Sequence, residues 1–68
     1  MNTVNNKRKR ESREKIEKTF LQLIQKKNIE SISVSDICKI TGLNRSTFYA
    51  NYINIYDLVE KVKLRMGQ

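Results

Sequence analysis

Residues 33–54 read SVSDICKITGLNRSTFYANYIN, a segment with three local signals for the start of a helix. Ser33, Asn44 and Asn54 have short polar side chains of the kind that cap helices, and each precedes a segment with helical spacing of apolar residues. Gly42 lies between the first two of these segments, and glycine readily adopts the left-handed conformation that ends a helix. The predicted helices are therefore about 34–41, about 45–51, and from about 55 to near the C-terminus.

Each predicted helix start also has an apolar residue before the cap and another four positions after it, a spacing that lets the two pack together. Asp36 and Asp57 lie three residues after two of the caps, where a carboxylate can accept a hydrogen bond from the backbone at the helix start. The apolar pairs expected to pack are Ile32 with Ile37, Leu43 with Phe48, and Ile53 with Leu58.

Two further helical patterns flank this segment. Residues 12–27 are predicted to form the first helix, with Ile16, Phe20, Leu23 and Ile24 on its inward face. The last helix is predicted to have an apolar stripe with no obvious partner within the 68 residues, formed by Ile55, Leu58, Val59, Val62 and Met66. Ile37 and Ile40 are expected to face inward from the second helix, with Cys38 as a small residue where it crosses the third.

The patterns predict an all-α fold, because no segment shows the alternation of a β-strand. Two short helices joined by a glycine turn are typical of a helix-turn-helix, here residues 33–52. The predicted organisation is a disordered basic arm at 1–11, a three-helix, homeodomain-like DNA-binding domain at 12–52, and a connecting fourth helix at 53–68.

The charge of the chain is unevenly distributed. Its 68 residues include 14 Lys and Arg, 7 Asp and Glu, and no His, for a net charge of +7. Lys7, Arg8, Lys9 and Arg10 supply four of these charges. They are either a solvated tail or an arm attracted to nucleic-acid phosphates, and charge alone does not decide between the two.

The composition argues against several classes of protein. With one cysteine and no histidine, the chain lacks a disulfide and the usual ligands of a zinc site. It has no glycine-rich phosphate loop and no carboxylate pair suited to catalysis, so we expect neither an enzyme nor a bound cofactor or metal. No apolar run reaches the length of about 18 residues that spans a membrane, and an unpaired cysteine fits the cytoplasm.

The outer face of the third helix has a composition suited to DNA. It is small and polar, and it contains no acidic residue that would repel phosphate. Arginine bonds guanine through two nitrogens, and hydroxyl groups bond phosphate oxygens. The expected DNA-binding residues of this helix are Asn44, Arg45, Ser46, Thr47, Tyr49 and Asn51.

From about Ile16 to Val59 the chain resembles the DNA-binding domain of the tetracycline-repressor (TetR) family of bacterial transcription regulators. The resemblance lies in IEKTFLQLI, in SVSDICKITGLNRSTFYANY across the predicted helix-turn-helix, and in NIYDL at the start of the last helix. It implies sequence-specific binding of duplex DNA at a palindromic operator by a ligand-responsive repressor that is a homodimer at full length.

Matched residue by residue, the resemblance implies particular contacts. Thr47 and Tyr49 match positions that touch phosphates or base edges, and Arg45 and Ser46 match positions that read bases. Further expected contacts are Asn51, near the DNA backbone, and Ser33 and Ser35, at the start of the second helix. Ile55 stands where the family commonly has a phosphate-binding lysine, so that contact is expected to be missing, and the basic residues 7–10 are expected to compensate.

Members of this family extend well beyond the fourth helix, whereas this sequence ends at Gln68. We therefore expect a fragment without the dimerising domain, and a monomer or weak dimer in solution. Two alternatives remain open at this point. One is the helix-turn-helix part of a recombinase; the other is a helical protein-interaction module that binds its partner through the stripe of the fourth helix.

Overall fold

The computed structural model describes the backbone of residues 4–66 and the side chains of residues 7–65. It contains four α-helices, with a 3-10 helix at Ile29–Ser31 between the first two. The described residues contain no β-strand, which confirms the predicted all-α class. The α-helices are α1 (Val4–Leu23), α2 (Val34–Thr41), α3 (Arg45–Asn51) and α4 (Ile55–Met66).

The start of α2 is fixed by a reciprocal pair of hydrogen bonds. The Ser33 hydroxyl accepts from the Asp36 backbone N–H at 3.1 Å, and the Asp36 carboxylate accepts from the Ser33 N–H, also at 3.1 Å. The predicted cap is therefore confirmed. Both bonds satisfy donors that have no partner inside the helix.

Asparagine side chains cap the next two helices, also as predicted. Asn44 Oδ1 accepts from the Thr47 N–H at 3.0 Å, and Asn54 Oδ1 accepts from the Asp57 N–H at 2.9 Å. The Asp57 carboxylate accepts from the N–H of Ile53 at 2.9 Å, one residue before the cap. These local bonds explain why the predicted starts of α3 and α4 are correct.

The turn between α2 and α3 depends on one residue with a positive φ. Gly42 has φ 79°, the left-handed conformation that glycine adopts without a steric cost. Its N–H donates to the Cys38 carbonyl at 2.9 Å. The Thr41 hydroxyl donates to the Ile37 carbonyl at 2.8 Å and accepts from the Leu43 N–H at 3.2 Å, so the end of α2 is tied to the chain entering α3.

All four α-helices contribute side chains to the core. A fully buried Val, Leu, Ile or Phe side chain stabilises the fold by roughly 1.5–3 kcal/mol. Cys38 is partly buried and packs against the core, as expected for a small residue at the crossing of α2 and α3. The buried apolar side chains are Ile16, Phe20, Ile32, Ile37, Phe48, Tyr52, Leu58 and Val62.

The prediction of a disordered arm is wrong for residues 4–11, because α1 begins at Val4; residues 1–3 lie outside the described chain. Lys and Arg are good helix formers, and extending an existing helix is far easier than starting one. Glu11 and Glu14 follow Lys7 and Arg10 by four residues, so opposite charges share one side of the helix.

The predicted end of α1 is also wrong. The helix ends at Leu23, and residues 24–27 form a turn in which the N–H groups of Lys26 and Lys27 donate to the Leu23 carbonyl at 2.9 and 3.0 Å. Ile24, expected in the core, is 41% exposed as a result. The early turn lets the chain reverse so that Ile32 reaches the core.

Two other isoleucines expected to face inward are exposed. Ile40 is 57% exposed, because Ile37 and Thr41 take the inward positions one helical turn apart. Ile53 is 76% exposed, so the third apolar pair does not form. Tyr52, the residue before it, fills the core where the chain enters α4.

The stripe of α4 has partners within the domain, contrary to expectation. Leu58 and Val62 are buried in the core, while Ile55 and Val59 are partly buried against it. The side chain of Met66 lies outside the described residues. The stripe is satisfied locally because α4 packs back onto the helices before it.

The caps predict how stability depends on pH. The hydrogen bond from the Ser33 backbone lowers the pKa of Asp36, and the bond from the Ile53 backbone, helped by Lys61, lowers that of Asp57. Because these pKa values are lower in the folded chain than in the unfolded chain, both carboxylates stabilise the fold above about pH 4. That stabilisation is lost as the pH falls through the folded-state values.

We therefore expect the melting temperature to fall as the pH drops below about 4, and the fall to be smaller in an Asp36→Asn/Asp57→Asn double variant. Circular dichroism melts at half-unit pH steps would measure this. Glu60→Gln, at an exposed site in α4, is the control and should melt like the unmodified chain. An unchanged pH profile in the double variant would contradict the role of the caps.

Candidate nucleic-acid interface

The rotation of α3 is set by the aromatic residues that it buries. Phe48 is fully buried, and Tyr52 is 2% exposed. The exposed positions are consequently 45, 46, 49 and 50, which lie together on the opposite side of the helix. Tyr49 is 53% exposed, with its ring edge-on to Phe48 at a centroid distance of 5.3 Å. This outer face contains no acidic residue.

Asn44 organises the hydroxyl groups at the start of α3. Its Oδ1 accepts from the Ser46 hydroxyl at 2.7 Å and from the Thr47 hydroxyl at 3.0 Å, in addition to the capping bond. Both hydroxyls are thereby held at the helix end, and each can rotate to donate elsewhere. Thr47 is half-buried and Ser46 is exposed, so Ser46 is the more accessible donor.

The side chain of Arg45, the first residue of α3, reaches across to α2. Its Nη2 donates to the Ser35 hydroxyl, which brings together two residues that the sequence predicted separately. A guanidinium has five N–H donors, so most of them remain available for another partner. Ser33 is nearby in sequence, but its hydroxyl is used in the cap of α2.

The basic residues 7–10 form part of a folded surface. Arg8 and Lys9, together with Ser12, line one wall of a cleft of about 360 Å³, and α3 forms the other wall. We call this the α1–α3 cleft; its α3 residues are Ser46, Thr47, Ala50 and Asn51. Lys7 and Arg10 are exposed on α1 but do not line this cleft.

The helical spacing of α1 explains this division. Residues 8, 9 and 12 share one side of a helix, whereas residues 7 and 10 do not face the same way. Sequence reasoning missed Ser12 because it treated residues 1–11 as disordered. If the predicted helix had begun before residue 8, the spacing of four residues would have placed Ser12 on the same side of α1 as Arg8.

Asn51 lies in the cleft but is committed to its own helix. Its Nδ2 donates to the Thr47 carbonyl at 2.9 Å, and its Oδ1 is buried without a hydrogen-bond partner. It lies beside Ser46 and Thr47 in this cleft, and its contact with DNA stays a prediction. Its amide, however, is less accessible than the side chains of Arg45, Ser46 and Tyr49.

A network of charged and polar groups holds the end of α3 in place. The Tyr52 hydroxyl donates to the Glu17 carboxylate at 2.6 Å, and the same carboxylate accepts from Arg65 Nε at 3.0 Å. Burial, followed by the bond to Glu17, raises the pKa of Tyr52. Lys61 Nζ lies 5.8 Å from the centre of the Tyr52 ring. The network joins α1 and α4 to the residue that ends α3.

Tyr52→Phe should destabilise the fold by about 1.5–3 kcal/mol, because it removes a hydrogen bond to a largely buried carboxylate. Urea denaturation followed by circular dichroism would measure the change. Tyr56→Phe is the matched control: Tyr56 is 63% exposed, so its change should be within about 0.5 kcal/mol. Equal stability of the two variants would refute the role of the Tyr52–Glu17 bond.

The described residues contain no group of three or more potential metal-ligating side chains. Across the same part of the chain, no helix combines the length and the apolar character needed to cross a membrane. The candidate functional surface is the polar face of α3 together with the α1–α3 cleft, because exposed polar and basic side chains lie side by side there.

Comparison of the chain with protein-family models, with curated proteins and with solved structures found no match. A functional proposal for this chain consequently rests on its residues, on their geometry, and on the resemblance that the sequence motifs carry.

Proposed function

We propose that residues 33–52 are a helix-turn-helix that binds duplex DNA, with α3 as the helix that enters the major groove. The observation that carries this proposal is the acid-free polar face of α3 beside a cleft whose other wall presents Arg8 and Lys9. A polar helix face next to fixed cations suits a partner with base edges between two rows of phosphates.

The exposed residues of α3 have the chemistry for this role. Arg45 lies at its first position and can bond the O6 and N7 of a guanine. Ser46 and Tyr49 present hydroxyl groups that bond phosphate oxygens, while Ala50 adds no bulk. The major groove is about 12 Å wide, so a helix with short side chains on its outer face can enter it.

The cations of α1 supply the part of the binding that does not depend on sequence. Each phosphate that a cation neutralises contributes about −0.9 to the slope of log affinity against log salt concentration. Arg8 and Lys9 are held next to Ser46 and Thr47 by a helix, so they lie at a fixed position relative to α3. In this proposal they compensate for the phosphate-binding lysine that the resemblance to the TetR family implies at the position of Ile55, although they lie at a different place on the surface.

The resemblance to the TetR family supports the biological role that we propose, a bacterial, cytoplasmic, ligand-responsive repressor. In this proposal the full-length protein is a homodimer on a palindromic operator, because two-fold symmetry in the protein matches two half-sites in the DNA. The chain described here, with its α4 stripe packed on its own core, is a monomer or weak dimer that binds one half-site weakly.

The interaction-module alternative required a free apolar stripe on α4. Leu58 and Val62 are buried within the domain, and Ile55 and Val59 are partly buried against its core, so these four residues do not form a free apolar face. The α3 face retains its polar character and its neighbouring cations. DNA binding is therefore the function that we propose.

The α3 prediction is tested with Arg45→Gln. On duplexes selected from a randomised library by the unmodified chain, the variant should bind about 5- to 150-fold more weakly, the range for losing one good base contact. Fluorescence anisotropy measures the affinity, and circular dichroism checks the fold. Lys63→Gln, an exposed α4 residue with the same charge change, should have little effect. Equal losses in the two variants would refute specific contact by Arg45.

The α1 prediction compares two double variants that remove the same charge. Arg8→Gln/Lys9→Gln should reduce the magnitude of the salt slope by about 1.8, because both residues line the α1–α3 cleft. Lys7→Gln/Arg10→Gln should change it less, because these residues do not line it. Anisotropy titrations at four salt concentrations would measure the slopes. Equal reductions would mean that attraction to DNA is diffuse.

A further inference from the structure

A second cleft, also of about 360 Å³, lies between α1, the end of α3 and α4. We call it the α1–α4 cleft. None of the expected DNA-binding residues of α2 lines it, and most of its cations were not predicted to have a role. Its principal residues are Lys9, Arg13, Asn51, Lys61, Leu64 and Arg65.

The number of cations in this cleft is greater than the number of carboxylates that pair with them. Lys61 pairs with Asp57 at 2.9 Å, and Arg65 pairs with Glu17 at 3.0 Å. Lys9 forms no ion pair within the described residues. Counting all six groups, with Arg13 included, four cations face two carboxylates and leave a surplus of two positive charges.

Of these cations, Arg13 gives the strongest indication of an anion site. It is half-buried, and its Nε is shielded from solvent without a hydrogen-bond partner. Among the described residues it forms no ion pair. An anion that binds the Arg13 guanidinium therefore meets no competing ion pair among the described residues, so it gains more than it would at an arginine that is already paired.

We propose that the α1–α4 cleft binds a phosphate group. A phosphate has two or more acceptor oxygens that match the fork of the Arg13 guanidinium, and its negative charge balances the surplus in the cleft. Lys9 can add a point charge from one helical turn earlier on α1. A smaller monovalent anion such as chloride lacks this fit.

The phosphate can come from either of two sources. The α1–α4 cleft shares Lys9, Ala50 and Asn51 with the α1–α3 cleft, so a backbone phosphate of a duplex lying along α3 is adjacent to it. A free phosphate or phosphorylated small molecule has the same chemistry. Binding of a DNA backbone phosphate rests on the proposed function, whereas binding of a free phosphate does not.

Inorganic phosphate is the first probe, titrated against the ¹⁵N-labelled chain at constant ionic strength with chloride as the balancing anion. We expect saturable amide shifts at Arg13, Asn51 and Lys61, with binding about tenfold weaker in Arg13→Gln. Lys18→Gln, the same loss of charge on α1 at an exposed position outside both clefts, should bind like the unmodified chain. Arg13→Lys, which retains the charge but loses the fork, should lie between the two.

The second probe is the selected duplex, with its salt slope measured for the same variants. If the source is a backbone phosphate, Arg13→Gln should reduce the magnitude of the slope by about 0.9, while Lys18→Gln leaves it nearly unchanged. Saturable phosphate binding without this change assigns the cleft to a free ligand and supports the proposal. If neither probe distinguishes Arg13→Gln from Lys18→Gln, the proposal is overturned. A chain that binds no duplex would refute the proposed function, and the phosphate titration alone would then decide this inference.

Discussion

The burial of Phe48 and Tyr52 is the constraint on which the candidate interface depends. Helix α3 has seven residues, too few for a stable helix in isolation. Its position therefore comes from the core, where Phe48 is fully buried and Tyr52 is 2% exposed. Fixing these two rings also fixes which residues face outward. The polar face of Arg45, Ser46 and Tyr49 is a consequence of how the aromatic residues pack.

The Tyr52 hydroxyl extends this constraint to the rest of the domain. It donates to Glu17 of α1, and Arg65 of α4 pairs with the same carboxylate. A largely buried carboxylate is stable only when its oxygens have donors, so three helices share one polar contact. The same packing brings the basic side of α1 against α3. Both cationic clefts thus depend on where Tyr52 lies.

The helix starts were predictable because their signals are local. Ser33, Asn44 and Asn54 each bond a backbone group three residues away, a geometry that the sequence contains in full. The limits of α1 were not predictable in the same way. Its basic first turns have no apolar face to detect, and its end at Leu23 serves the reversal that carries Ile32 into the core. The predicted pair of Ile53 with Leu58 does not form, because Tyr52 fills the core and leaves Ile53 exposed.

By itself, the sequence determined the all-α class, the starts of α2, α3 and α4, the glycine turn, and the polar, acid-free character of α3. These properties depend on side chains and backbone groups within about one helical turn of each other. Only the tertiary structure decided that Arg8, Lys9 and Arg13 line clefts and that Arg45 bonds Ser35. It also decided that the apolar stripe of α4 packs in the core with the other helices. Those outcomes depend on how rigid helices pack across residues distant in sequence, which no local pattern specifies.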